Sequence, residues 1–389
     1  MSDILSQLEK NDRLGFYQVG QYKTHNKLDA LITASRVNIR PIWNFNKDIF
    51  DNVAWGVEPS ESLIFLYGRR AQQIRDTYDY IILNLSGGAD STTTLYSFVN
   101  NGIFIDEVIV RHPFKGTNNL PVTNTVYQAE NAYNEWTYAA QPILNWLRHA
   151  SPNTKITIHD YSEELITPTY NIDWVYAGRD YLHPGIVSRY NYNVADLNTV
   201  YERHNSVCQL FGIDKPRICI RDDAYYLYFL DIQANTAVSK VKEFDNITTE
   251  YFFWSPELPE LIVKQGHAVA NWFELPANQA FKVLLRWPNH DISQRTTYEM
   301  IIKSIVYPEY DLSTFQAAKP TSAFVTEIDS WFYKNFQNTT AFDIWRGGVD
   351  FVKNAVDDQW FNHKYSEKDG FVGFTSQFYK IKDIPPLDK

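Results

Sequence analysis

Residues 86–91 read Ser-Gly-Gly-Ala-Asp-Ser. They follow the apolar run DYIILNLS and open the helical pattern STTTLYSFVNNG. A strand of this kind delivers Ser86 to the carboxyl end of a sheet, where α/β proteins bind ligands. Gly87 and Gly88 lack a Cβ, so they can take positive φ and let a phosphate approach the backbone. Ala89, Asp90, Ser91 and Thr92 fall at the helix start. The hydroxyls and the N–H groups there, helped by the helix dipole, favour an anion. Asp90 puts a carboxylate beside that anion site, which makes sense when a Mg²⁺ bridges the two. The chemistry expected of Ser86–Thr92 is therefore binding of a pyrophosphate group plus a metal held by Asp90. The pattern is not GxxxxGK[ST] and has no Lys in the turn, which argues against ordinary γ-phosphoryl transfer.

A polyphosphate also needs cations. Lys215 and Arg217, in GIDKPRICIRDD, are the candidates, with Pro216 stiffening the turn between them. The same two residues would serve equally as a solvated turn. Arg179 and Arg189 flank His183 in a Gly-Pro loop that could clamp a carboxylate or phosphate. His112, just past an apolar run, sits where an adenine would lie. Asp222 and Asp223 are a possible metal pair, although a paired-Asp turn is more often solvated. Lys264 and His267, at helical spacing, are candidate second-substrate contacts or simply parts of a packing helix.

The elements that must position these residues follow from periodicity. GFYQVGQYKTHN suggests a hairpin, and KLDALITASRV and SLIFLYGRRAQQIRDTY suggest helices. From residue 78 the rhythm is βαβ: DYIILNLS, the STTTLYSFVNNG helix, DEVIVRH, a long helix kinked at Pro142, then KITIHDYS. Residues 164–192 read as an irregular insertion and 193–211 as a helix. GIDKPRICIRDDAYYLYFLD reads as strand, turn, strand. After about residue 235 the texture becomes helical and Trp-rich. The expectation is an α/β protein with a doubly wound, mostly parallel sheet and a mainly helical C-terminal region. Three parts are expected: a lead-in over 1–77, a nucleotide-binding α/β domain over 78–235, and the helical region over 236–389.

The SGGxDS sequence between an apolar strand and a helix resembles the PP-loop of the N-type ATP pyrophosphatase superfamily. That superfamily has a HUP-like α/β domain and includes asparagine, GMP and NAD synthetases, tRNA-lysidine and tRNA-thiolation enzymes, the deazaguanine nitrile synthase and PAPS reductase. The match covers Ser86, Gly87, Gly88, Asp90 and Ser91. RAQQIRDTYDYIILNLSGGADS, FGIDKPR, YFFWSPELPELIVKQGH and FQAAKP are also similar to phage-encoded proteins labelled asparagine-synthetase-like or PAPS-reductase-like. Most members cleave ATP between the α and β phosphates, adenylate a carbonyl or carboxylate oxygen, and let a nucleophile displace AMP. The resemblance thus implies ATP and Mg²⁺ as cofactors. By the same likeness, Lys215 and Arg217 would share catalysis with Asp90, since asparagine synthetases use a Lys and an Arg beyond the loop.

Cysteine usage narrows the branch. The chain has two cysteines, Cys208 and Cys219, and no CxxC pair. The reductase's C-terminal Cys motif, the four-Cys zinc site of the deazaguanine synthase and the N-terminal Cys of fused glutaminase domains are all missing. The expected reaction is adenylation of a small molecule or nucleotide, followed by attack of a nitrogen nucleophile. Two other readings keep the loop: a reductase or sulfur-transfer enzyme using Cys208 or Cys219, and a non-catalytic nucleotide-binding protein.

A net charge of −10 disfavours a broad nucleic-acid surface. The polar start MSDILSQLEKNDR carries no apolar signal core, and no apolar run approaches the ~20 residues of a membrane span. A cytoplasmic protein is expected, in the host cytoplasm if phage-encoded. Its partners are expected to be small molecules or nucleotides, with the Trp-rich C-terminal half as the candidate surface for any oligomer.

Overall fold

The computed structural model describes residues 11–117, 136–166, 195–231, 245–286, 292–311, 313, 331–361 and 371–385. Its centre is a five-stranded, all-parallel sheet. The strands are β4 (Tyr80–Asn84), β5 (Glu107–Arg111), β6 (Lys155–His159), β7 (Val207–Phe211) and β10 (Ile247–Tyr251). They lie in the order β10-β7-β4-β5-β6. The first strand in sequence is therefore central. The next two lie on one side of it and the later two on the other. Where the order reverses, β4 and β7 are neighbours, and the loops that leave them meet at the carboxyl end of the sheet, the edge at which open α/β sheets bind ligands.

Alternation divides the two faces of the sheet. Ile81, Leu83, Val108, Val110, Cys208 and Leu210 join the main core, together with Leu95 and Phe98 of α3 (Ala89–Val99). Ile82, Ile109 and Val207 point the other way and pack with Tyr201 of α5 (Ala195–Arg203). That second face is also polar. Gln209 bridges Asn84 and Tyr201 at 2.8 and 2.9 Å, and Tyr80 donates to the buried Glu107 at 2.9 Å.

Two smaller antiparallel sheets flank the parallel one. β1 (Phe16–Val19), β2 (Tyr22–Thr24) and β3 (Ile42–Asn44) form the first, beside α1 (Lys27–Val37). The second contains β8 (Arg217–Arg221), β9 (Ala224–Tyr228) and β11 (Tyr379–Asp383). α2 (Leu63–Thr77) is capped by Ser62 and buries Leu66, Tyr67, Ala71 and Ile74, the stripe its spacing predicts. α4 (Gln141–Ala150) begins at Pro142, where π-type turns over Trp136–Ala140 give way to α-helix. The missing N–H of proline accounts for a change of winding there. α6 (Pro259–Glu274), α7 (Ile292–Val306) and α8 (Thr340–Ala355) follow.

Two expectations need correction. The helix expected over 193–211 stops at Arg203, and Val207–Phe211 is instead a central strand. Every residue of that strand is buried, and parallel neighbours on both sides satisfy its backbone, which overrides local helical spacing. The region after 235 is largely helical but not wholly so, because β10 joins the parallel sheet and β11 joins the second antiparallel one. The segment GIDKPRICIRDDAYYLYFLD forms the expected strand, turn and strand, as β8 and β9 of the second antiparallel sheet. The hydrophobic core is continuous through Leu28, Ile81, Trp254, Ile302, Trp345 and Ile381. Among the described residues no helix is long and apolar enough to cross a membrane.

Candidate nucleotide site at the sheet switch point

After Asn84 the chain makes one more bond to β5, from the Leu85 N–H to the Ile109 carbonyl at 2.9 Å, and then turns. Gly87 takes φ +73°, and a Cβ there would lie 2.7 Å from the Ala140 nitrogen. No other residue fits this turn without moving the start of α4. Gly212, just past β7, is equally confined, since its Cβ would lie 2.7 Å from the Ser91 Cα. The turn is thus gripped between two loops at the switch point.

Hydroxyls hold its shape. The Ser86 N–H donates to the Ser91 hydroxyl and the Gly88 N–H to the Ser86 hydroxyl, both at 3.2 Å. The Ser91 hydroxyl donates back to the Gly88 carbonyl at 3.2 Å. These two hydroxyls, expected on a ligand, are engaged with the turn itself. Gly88 is the N-cap of α3 and supplies no side-chain cap, so Ala89 and Asp90 open the helix at its positive dipole end, beside the Gly212 loop. Ser91 and Thr92 are buried beneath them.

The loop after β7 brings the expected cations to this turn. Lys215 lies 3.1 Å from Asp214 and 2.5 Å from Glu299 of α7. Arg217 meets Asp214 at 2.7 Å and Glu299 at 2.9 Å. All four are nearly buried. Burial opposes the Lys215 and Arg217 charges, but Asp214 and Glu299 prevail and hold both above their usual ranges. Burial likewise works against the Asp214 carboxylate, yet Arg217 and Lys215 keep it below the usual range. Glu299 is held low by Lys215 and Arg217 against the same burial. Lys215 and Arg217, expected to meet a triphosphate, both already have carboxylate partners.

Four residues of the site escaped the sequence reading: Asp214, Glu299, Lys303 and Tyr307. The Tyr307 hydroxyl donates to the Asp90 carboxylate. Burial, and then the Asp90 charge, keep that phenol well above its usual range. The Tyr67 hydroxyl holds the end of α7 through the Val306 carbonyl at 2.5 Å. The local signals for this set were Asp214 beside Lys215 in the chain and the four-residue spacing of Glu299, Lys303 and Tyr307 along and just past α7.

His112 extends β5 through a 2.9 Å bond from its N–H to the His159 carbonyl. Its ring lies 4.7 Å from Phe114 and 5.6 Å from Trp136. Trp136 belongs to the turn whose Ala140 packs on Gly87. A small aromatic cluster of the buried His112 and the half-buried Phe114 and Trp136 thus lies beside the turn.

Other expected contacts fall elsewhere. Lys264 binds Glu58 at 2.7 Å and the Pro59 carbonyl at 2.9 Å, while the buried His267 meets the Trp55 carbonyl at 2.9 Å. Both secure the 55–59 segment, so the packing-helix reading of α6 is the one their contacts favour. Asp222 and Asp223, with φ 46° and 55°, form the exposed tight turn between β8 and β9, which wants exactly two left-handed residues. Arg179, His183 and Arg189 lie outside the described residues. Among the described residues, no group of three or more His, Cys, Asp or Glu is placed to hold a metal. Asp90 is a single carboxylate, so a Mg²⁺ there would complete its shell with phosphate and water oxygens, as Mg²⁺ commonly does.

Compared with known proteins, the chain matches no protein-family model and no curated sequence.

Proposed function

We propose that the switch-point site binds ATP and supports its cleavage between the α and β phosphates, adenylating an oxygen for attack by a nitrogen nucleophile. On this reading the chain is a PP-loop enzyme with a doubly wound domain. The observation that carries it is the Gly87 turn, which is too tight for any Cβ and leads into a helix without a side-chain cap. The backbone N–H groups of that helix start receive phosphate oxygens. The half-buried rings of Phe114 and Trp136, backed by the buried His112, receive the base. Asp90 is placed to hold Mg²⁺, which would neutralise charge on the departing pyrophosphate. Lys215 and Arg217, paired with Asp214 and Glu299, keep the β7 loop in register beside the turn before substrate arrives.

The reading that uses a redox cysteine has less support. Cys208 lies fully buried in β7. Cys219 is also buried, and burial pushes its thiol up to about 12, far from the thiolate that such chemistry needs.

The test is product analysis with α-labelled ATP, Mg²⁺ and a small-molecule extract. Wild type should release AMP, and Asp90→Ala should lower that rate by roughly a hundredfold or more. Equal AMP release from the variant would refute the assignment. ATP bound but never cleaved, across fractionated extracts, would favour a binding protein.

A further inference from the structure

Tyr307 stands one residue past α7, where Pro308 ends the helix. Its N–H still donates to the Lys303 carbonyl at 2.9 Å, and its carbonyl accepts from the Tyr310 N–H at 3.1 Å. The preceding carbonyl, of Val306, accepts from the Tyr67 hydroxyl, and the Gln265 amide donates to that hydroxyl at 2.9 Å. Residues of α2 and α6 thus fix the backbone from which the Tyr307 ring projects. The ring is 2% exposed and lies 5.4 Å from that of Phe253. With backbone and ring both held, the hydroxyl donates to Asp90 Oδ1.

Asp90 is half-buried, and among the described residues no hydrogen bond or ion pair reaches its other oxygen, Oδ2. The kind of donor matters. A lysine or arginine would neutralise the carboxylate, as Lys215 and Arg217 neutralise Asp214 and Glu299 nearby. A phenol fixes the carboxylate and leaves its charge intact. A phenylalanine would fill the same space beside Phe253, so the hydroxyl is the part that serves Asp90. Outer hydrogen bonds of this kind orient carboxylates that ligate metals, and losing one commonly costs about ten- to a hundredfold in metal affinity.

We propose that Tyr307 is the positioning residue for a divalent cation at this site: it holds Oδ1 of Asp90 and leaves Oδ2 as the oxygen for the cation. Asp90 as the seat of that cation rests on the function proposed above; the Tyr307 bond does not.

The test uses the full chain and calorimetry, with ATP and inorganic pyrophosphate each titrated in Mn²⁺ and in EDTA. The ratio of the two affinities is the metal advantage. Tyr307→Phe should lower that advantage by roughly tenfold or more and leave affinity in EDTA within about twofold. Asp90→Ala should abolish the advantage. Adding Tyr307→Phe to Asp90→Ala should change nothing further, because the hydroxyl acts through that carboxylate. Asp90→Glu keeps the charge but carries it one methylene away from where Tyr307 holds it, and should lose most of the advantage; this variant decides the matter if Tyr307→Phe fails to fold. An undiminished advantage in Tyr307→Phe or in Asp90→Glu overturns the proposal, as does a further loss when Tyr307→Phe is added to Asp90→Ala. If Asp90→Ala loses the advantage while Tyr307→Phe keeps it, the metal reading of Asp90 stands and the positioning role falls. If the advantage appears with pyrophosphate and depends on Tyr307, but ATP does not bind, the positioning role stands and the nucleotide reading falls. No metal advantage in wild type overturns both.

Discussion

The protein buries two clusters of charge, and they are built differently. In one, Lys27 of α1 lies 2.9 Å from Asp231, both wholly buried. The Tyr17 hydroxyl and the Phe374 N–H complete Asp231 at 2.8 Å each. Both carboxylate oxygens are occupied, and residues from β1, α1 and the C-terminal segment meet there. In the other, at the switch point, three acids (Asp90, Asp214 and Glu299) face three bases (Lys215, Arg217 and Lys303). Only two of those bases have partners. The first cluster fastens distant segments together, whereas the second holds the β7 loop and α7 beside the Ser86–Ser91 turn.

The sharpest way to break this comparison is to make one chemical change at both lysines. Lys27→Met leaves Asp231 buried without its counter-charge and should cost about 3–5 kcal/mol of stability, read from urea unfolding. Lys303→Met should cost nothing by the same measurement. Equal losses at the two positions would erase the distinction. A smaller effect is expected at the turn between the clusters' two worlds of backbone and side chain: Gly87→Ala forces a Cβ at φ +73° against Ala140 and should cost about 1–3 kcal/mol and abolish nucleotide binding. A variant with wild-type stability and affinity would show that the close approach is not needed.

The smallest effect concerns pH. Asp214 and Glu299 have native pKa values below their unfolded ones. Their stabilisation is thus fully present above the unfolded carboxylate range, about 4, and is lost as pH falls through the lower native values. Glu299→Gln should flatten the acid limb of the stability–pH curve by about 1 kcal/mol between about pH 5 and 3. An unchanged slope would mean that Glu299 is not held low by Lys215 and Arg217.

The contrast between the clusters also marks what local sequence can reveal. The strand–turn–helix over residues 80–99 was legible because each part is a short-range pattern: an apolar run, two glycines, then helical spacing. The helices at 27–37, 63–77, 259–274 and 340–355 were legible for the same reason. Val207–Phe211 was not. An apolar run of five residues fits a helix end or a buried strand equally well until its neighbours are known. Ile247–Tyr251 hid for the same reason in a region whose texture is otherwise helical. Lys215 and Arg217 were found as cations, but their saturation was invisible, because Glu299 lies more than eighty residues away in the chain.

By itself, the sequence determined the strand, the Ser86–Ser91 turn and the helix that follows, since glycine freedom, strand burial and helical spacing are all properties of contiguous residues. Only the tertiary structure decided which charges surround that turn. Partners of buried charges are selected by where strands and helices pack. The order β10-β7-β4-β5-β6 places the β7 loop beside the β4 turn, and α7 then brings Glu299, Lys303 and Tyr307 over both.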